Sequence, residues 1–350
     1  MKRVFEKDFR GRKLIVETGE LAKQANSSVL VRYGDTVILT TVVVKKEANV
    51  LSDFFPLMVI YQEKLYSVGK IPGGFIKREG RPTDAATLAA RMIDRPMRPM
   101  FKEDFKNEVQ IVNMVLSVDT DNSPELTAMF ASSLATSISE IPFDGPIAGV
   151  KVGCIDNKFI INPTPTELEN SILDLTVAGT DKAINMVEAG SKEVDESLML
   201  DALMYGHEAI KELVEFEKEI VKEIGKPKME YEVLEITDEF KKEIRDLCEK
   251  DLNEAMRIKG KLEKYEAIDS VKEKVVNKYK EENENTLKEI ELQELLTKVK
   301  LVLEEIEYDI FREIVVNEKV RADGRSMTEI RPLSTDIDLL PRTHGSALFT

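Results

Sequence analysis

The residues with chemical potential in this 350-residue chain are concentrated in SVGKIPGGFIKREGRPTDAATLAARMIDRPMRPMF (67–101). Pro72-Gly73-Gly74 predicts a turn or mobile loop whose tip presents Phe75, Ile76, Lys77 and Arg78. An aromatic ring held in water beside two cations is unfavourable unless something binds it. A nucleobase stacked on the ring, with its phosphate on the cations, is one such ligand, worth about 1–3 kcal/mol per base. Pro82-Thr83-Asp84 then reads as a helix start with Thr83 as N-cap. Arg91 and Arg95, four apart, share a face of that helix. Arg98 follows after Pro96, where the helix is expected to end or kink. Between 62 and 102 there are nine Lys/Arg against four Asp/Glu, a basic island in a chain of net charge −15. Charges more than about 8 Å apart are screened, so this local balance decides what binds, and it suits a polyanion. The alternative is a solvated face in which the arginines pair with Asp94 and Glu79 and Phe75 tucks into a subunit contact.

Other chemistries find less support. The two histidines, His207 and His344, lie outside metal-ligand spacing. Cys154 and Cys248 lack C-x-x-C spacing and read as free thiols of a reducing cytoplasm. There is no Walker loop, no G-x-G-x-x-G and no 18-residue apolar run, so no membrane span is expected. The start, MKRVFEKDFRGRK, lacks the apolar stretch of a signal peptide.

The elements that must position the basic island read as an α/β unit. SSVLVRY (27–33) and TVILTTVVV (36–44) flank Gly34-Asp35, a hairpin signal. Further strands are expected at 55–61, 109–118, 146–153, 157–162 and 172–179, and helices at 84–95, 124–139 and 193–224. The unit closes around Gly225-Lys226-Pro227. From about 237 to 316 Gly and Pro almost vanish. Leu292, Leu295, Val299, Val302, Ile306 and Ile310 recur at helical spacing, predicting a small helical bundle with a polar break near 281–285. A coiled coil fits less well, because the heptad is not sustained. The closing stretch LPRTHGSALFT (340–350) echoes LAKQANSSVLV (21–31), and D-G-R (323–325) echoes R-G-R (10–12). Duplication and two unrelated hairpin entries both produce such short matches; the composition break just before adds weight to duplication but leaves both open.

Three long stretches carry a family resemblance: KIPGGFIKREGRPTDAATLAARMIDRPMRPMF, NPTPTELENSILDLTVAGT (162–180) and RADGRSMTEIRPLSTDIDLLPRTHGSALFT (321–350). The chain is similar along its whole length to the bacterial polynucleotide phosphorylases. The resemblance implies an α/β RNase PH-like core at 1–228, an all-helical domain at 234–317 and the beginning of a second RNase PH-like core at 320–350. It implies processive 3′-to-5′ phosphorolysis of single-stranded RNA in mRNA decay. Inorganic phosphate is the co-substrate, Mg²⁺ the metal, and the assembly a cytoplasmic homotrimeric ring with other RNA-decay proteins among its partners.

Phe75, Ile76, Lys77 and Arg78 match the family's loop at the ring's pore constriction; Ile76 departs from it, since a second aromatic is common there. Arg91, Arg95 and Arg98 match an arginine-rich segment near RNA. The catalytic and metal residues of the family belong to the second core, after residue 350. In the first core Asp174 is kept, but Thr176 stands where the catalytic core has a lysine, and Leu168 where another metal-binding acid is expected. This core is therefore expected to be catalytically silent. A non-catalytic RNA-binding or ring-scaffold subunit is the alternative reading of the chain as it stands.

Overall fold

The computed structural model describes residues 2–52, 54–75 and 77–350, which divide into two units, Met1–Val233 and Leu234–Thr350. The first unit opens on β1 (Arg3–Phe9) and β2 (Arg12–Thr18). The Arg10-Gly11 turn between them has both residues left-handed (φ 53° and 76°), the twist that a two-residue hairpin requires. Neither strand is evident from composition, because charged residues interrupt their alternation.

The sheet continues through β3 (Ser27–Tyr33) and β4 (Thr36–Ala48), joined at Gly34-Asp35 as the sequence predicts. Then come β5 (Leu57–Glu63), α1 (Asp84–Met97) and β6 (Asn107–Ser117). The strand order is β1-β2-β3-β4-β6-β5. Among the described residues only the β5–β6 pair of this sheet is parallel, with α1 in the crossover, and the order places β5 at an edge. In β3, Ser27, Val29, Val31 and Tyr33 point inward, the period of two expected of a strand with one buried face.

After α2 (Pro124–Ile138), strands β7 (Ala148–Ile155) and β8 (Lys158–Ile161), the short helix α3 (Pro165–Glu169), β9 (Leu173–Gly179) and β10 (Ile184–Ser191) follow. The four strands form a second, antiparallel sheet, β10-β9-β7-β8, with α4 (Glu196–Ile224) against β7 and β9. Helix α2 packs on β3 and β4 of the first sheet and on β7 of the second, and every residue from Leu126 to Ile138 is buried. Its sequence, rich in Ala, Ser and Thr, suits a helix enclosed on several sides, where large side chains would hold the sheets apart.

The chain after α4 is tied back to this core. Lys228 Nζ donates to the Ser137 and Ser139 carbonyls (2.9 and 2.8 Å) at the C-terminal end of α2, where the helix dipole favours a cation. Burial pushes the Lys228 ammonium down from its usual pKa. Met229 N–H donates to the Glu140 carbonyl (2.7 Å), and the Tyr231 ring meets Phe105 edge-on.

The second unit consists of α5 (Asp238–Ala255), α6 (Lys261–Asn283) and α7 (Glu289–Glu313) around one core. Val299, Val302, Ile306 and Ile310 are buried there as the periodicity predicts, and Leu295 packs at the margin; Leu292, expected in the same stripe, lies in the first turn of α7, half-buried and outside this core. α6 ends within the polar stretch 281–285. Beyond it, β11 (Thr335–Ile337) and β12 (Ala347–Phe349) form an exposed two-stranded pair.

Glu217 on α4 is wholly buried. Its Oε2 accepts from Ser133 Oγ (2.8 Å), while Oε1 has no partner among the described residues. Burial raises the Glu217 pKa well above its ordinary value of 4.5, so the folded protein keeps a proton that the unfolded chain releases. The sign follows: this group's contribution is fully present below about pH 4.5 and is lost as pH rises toward the raised folded value. Glu217→Gln, which keeps the shape without the ionisation, is expected to raise the melting temperature more at pH 8 than at pH 5. Equal shifts at both pH values, read by thermal unfolding, would show that Glu217 does not titrate in this window.

Candidate nucleic-acid interface

The connection from β5 to α1 carries the basic loop. A single 3-10 turn, Leu65–Val68, follows β5 and is closed by left-handed Gly69 (φ 72°). Two backbone bonds fasten it to β6 and the residue beyond: Lys64 N–H to the Val115 carbonyl (3.2 Å) and Val118 N–H to the Ser67 carbonyl (3.2 Å). The described residues between Lys70 and Pro82 form neither helix nor strand. Gly74 (φ 76°) and Lys77 (φ 56°) are left-handed on either side of the tip, a conformation natural to glycine and costly to lysine. Phe75 is fully exposed, at 103% of its reference surface, which forgoes the 1.5–3 kcal/mol or so that burying such a ring contributes. Lys77 and Arg78 are exposed, and among the described residues neither has a carboxylate within 4 Å. Ile76, the remaining tip residue expected to contact RNA, lies outside the described residues.

Helix α1 starts as predicted, with Thr83 Oγ1 accepting from Ala86 N–H (3.1 Å). Its end differs from expectation. The helix neither stops nor breaks at Pro96 but runs to Met97, followed by a 3-10 turn at Arg98–Met100. The Pro96 ring is buried, and the hydrogen-bond ladder resumes at once, with Arg98 N–H on the Asp94 carbonyl. Core packing thus outweighs the one backbone bond that proline removes.

This continuation settles the surroundings of Arg98. Its guanidinium grips Asp94 through two bonds (3.0 and 2.7 Å) and donates to the Phe55 and Leu57 carbonyls (2.9 and 3.2 Å). All but one of its five donors are drawn toward α1 and the entry to β5, so Arg98 is a brace. Arg95 makes a single exposed pair with Glu188 on β10 (3.3 Å), the kind worth about 0–1 kcal/mol and easily exchanged for a phosphate. Arg91 is exposed and has no carboxylate within 4 Å among the described residues. The three arginines are therefore not equivalent: the helix offers Arg91 freely, Arg95 at slight cost, and Arg98 hardly at all.

A divalent metal, implied by the resemblance, does not fit this unit. Asp174 lies on β9 with Lys151 Nζ 2.9 Å from its Oδ1, and an ammonium in that place repels a cation. Thr176, on the same strand, is buried, and Leu168 is in α3. Among the described residues no three His, Cys, Asp or Glu side chains converge. The nearby cavity, about 40 Å³ and lined by Tyr33, Ser123, Lys151 and Asn162 among others, has room for little more than a water. His207 is buried with Nε2 2.9 Å from the Thr180 carbonyl, and both cysteines are buried and free. No helix among the described residues is long and apolar enough to cross a membrane.

Comparison with known proteins identifies the family of this α/β core. Residues 10–142 match the model of the 3′ exoribonuclease family, domain 1, and 145–209 its domain 2. The first unit is thus an RNase PH-like core. Residues 239–326 match the RNA binding domain of polyribonucleotide nucleotidyltransferase. Curated proteins of that name from Bacillus subtilis and Enterococcus faecalis are each 54% identical to this chain over 351 and 349 residues, all of its length and 48% and 49% of theirs. The chain belongs to the polyribonucleotide nucleotidyltransferase family and spans about half the length of these relatives. A crystal structure of rice Rrp46 overlaps 63% of this chain and 94% of its own at 12% identity and a TM-score of 0.47, too distant to add weight.

The match at 239–326 falls where sequence reasoning assigned no RNA contact. Charge gave no signal there: residues 234–317 hold sixteen Lys/Arg against twenty-three Asp/Glu.

The division among the arginines is testable. Arg98→Ala is expected to lower unfolding free energy by about 1–2 kcal/mol, through its lost carbonyl and carboxylate bonds. Arg91→Ala should leave stability within about 0.5 kcal/mol and reduce the salt slope of RNA binding by about one. Urea unfolding and salt-dependent binding measure these; the reverse pattern would exchange the two roles.

Proposed function

We propose that this chain is the RNA-guiding part of a phosphorolytic 3′-to-5′ exoribonuclease. The observation that carries this reading is the exposed Phe75, followed in the loop by exposed Lys77 and Arg78 that have no carboxylate within 4 Å among the described residues. A threaded single strand needs a sequence-independent grip, and a ring with flanking cations supplies one. In the proposed reaction an oxygen of inorganic phosphate forms a bond to the terminal phosphorus. The bond to the preceding 3′ oxygen breaks, and that oxygen leaves with a proton. A nucleoside diphosphate is released, and the reverse reaction polymerises. Mg²⁺ would neutralise charge in the complete enzyme, at acids outside this chain.

The proposed organisation is a first RNase PH-like domain at 1–228, an all-helical domain at 234–317 and the start of a second RNase PH-like domain at 320–350. The last assignment draws support from geometry. Gly11 (φ 76°) and Gly324 (φ 83°) both turn in left-handed conformation within the R-G-R and D-G-R stretches. Downstream of each, an antiparallel pair follows, β2–β3 and β11–β12, across connections of similar length. A homotrimer with a central channel, in the cytoplasm and alongside other RNA-decay proteins, is part of the same proposal. The ion-paired Asp174 favours a second reading for the chain alone, a non-catalytic RNA-binding or ring-scaffold subunit.

One experiment addresses both. Labelled oligo(A) is mixed with the 350-residue chain, phosphate and magnesium, and bound RNA and released diphosphate are measured together. Binding without release is expected, and Phe75→Ala, Lys77→Ala and Arg78→Ala combined should weaken binding at least about tenfold. Diphosphate release by the chain would contradict the silent core. Unaltered affinity in the triple variant would return the loop to an ordinary solvated face.

A further inference from the structure

The loop's tip is not the only place where apolar side chains meet water. Tyr66, Val68 and Ile71 precede Phe75 in the same connection, and all four are more than half exposed. The segment from Lys64 to Pro82 also holds five cations, Lys64, Lys70, Lys77, Arg78 and Arg81, against one acid, Glu79. Exposed apolar groups in one segment mark a contact surface. A protein partner for so basic a segment would have to be acidic, whereas single-stranded RNA offers both an anionic backbone and a flat apolar face on every base. The local charge favours RNA.

We infer that Tyr66 is a second nucleobase-stacking contact, engaging the same strand of RNA as Phe75. The inference rests on the RNA reading of the loop and adds a residue to it. Tyr66 is 57% exposed, and among the described residues it joins no aromatic pair and its hydroxyl makes no hydrogen bond. Its backbone is the more fixed of the two. The 3-10 turn that carries it is held to β6 and beyond by the Lys64–Val115 and Ser67–Val118 bonds, and Gly69 N–H closes on the Tyr66 carbonyl (2.9 Å). A ring on a pinned backbone gives up little freedom on stacking, since tyrosine has only two side-chain torsions to order. The cations Lys64 and Lys70 flank it in sequence, as Lys77 and Arg78 follow Phe75. Tyr66 thus offers a second ring nine residues before Phe75, from a regular element.

The chain contains no tryptophan, so Tyr66→Trp and Phe75→Trp each place one fluorophore at a known position. Each variant of the 350-residue chain is titrated with oligo(A) and, as an anion without bases, polyphosphate. Stacking predicts emission of Tyr66→Trp quenched about twofold or more by oligo(A), at the midpoint of Phe75→Trp, and unchanged by polyphosphate. Tyr66→Ala should weaken oligo(A) binding about 5- to 150-fold, and Tyr66→Phe should restore it. Quenching of Phe75→Trp but not Tyr66→Trp overturns the inference and leaves the loop reading intact. Quenching of neither overturns both. Emission of Tyr66→Trp that responds to protein concentration and not to oligo(A) makes the patch a contact between copies of the chain, and overturns the inference as well.

Discussion

The enclosure of α2 is the constraint on which the first unit depends. A helix buried from Leu126 to Ile138 gives the two sheets a common core, and small side chains let β3, β4 and β7 approach it closely. Polar groups inside that core are matched locally. Asn113 Oδ1 accepts from Thr40 (2.6 Å) and Ser132 (2.9 Å), which joins β4, β6 and α2 in one buried network. With β6 fixed in this way, β5 can only lie at its outer edge. The β5–α1 connection must then leave from a sheet margin rather than cross the core. The basic loop is displayed at that margin, while α2 is enclosed.

Electrostatics divide along the same line. The chain is acidic overall, yet the residues between the edge strand and α1 carry cations with few acids among them. α1 itself uses its arginines in graded fashion. Arg98 is drawn inward by Asp94 and two carbonyls, Arg95 is lightly held by Glu188, and Arg91 faces solvent. One helix thus braces the strand entry at its C-terminal end and presents charge along its middle. The helical unit shows a different balance. Lys241 pairs with Glu305, and Arg245 with Glu249 and Asp309, so several of its cations are spent within the bundle.

Much of the fold was legible because periodicity records burial. The β3–β4 hairpin, α2, α4 and the buried stripe of α7 follow directly from apolar spacing and turn residues. β1 and β2 were not visible, since Lys7, Asp8, Arg12 and Lys13 obscure the alternation, and only the conformation of Arg10-Gly11 reveals the hairpin. Pro96 misled for a different reason: local preference argued for a break, and core packing overrode it. The exposure of Phe75, Lys77 and Arg78 was readable from residue type and the preceding Pro-Gly-Gly turn. The separation of Arg91 from Arg98 was not, because it depends on carbonyls at Phe55 and Leu57 that are distant in sequence. Tyr66 gave no signal either, as a lone tyrosine reads as core until its exposure is known.

The central claim is that the first unit grips single-stranded RNA through its edge-strand connection. Ultraviolet crosslinking of 4-thiouridine-containing RNA to the intact chain, with mass-spectrometric mapping of the attached peptides, tests it most directly. The account predicts crosslinks within residues 64–82, whatever else is labelled. Crosslinks confined to 239–326, with the connection untouched, would contradict it.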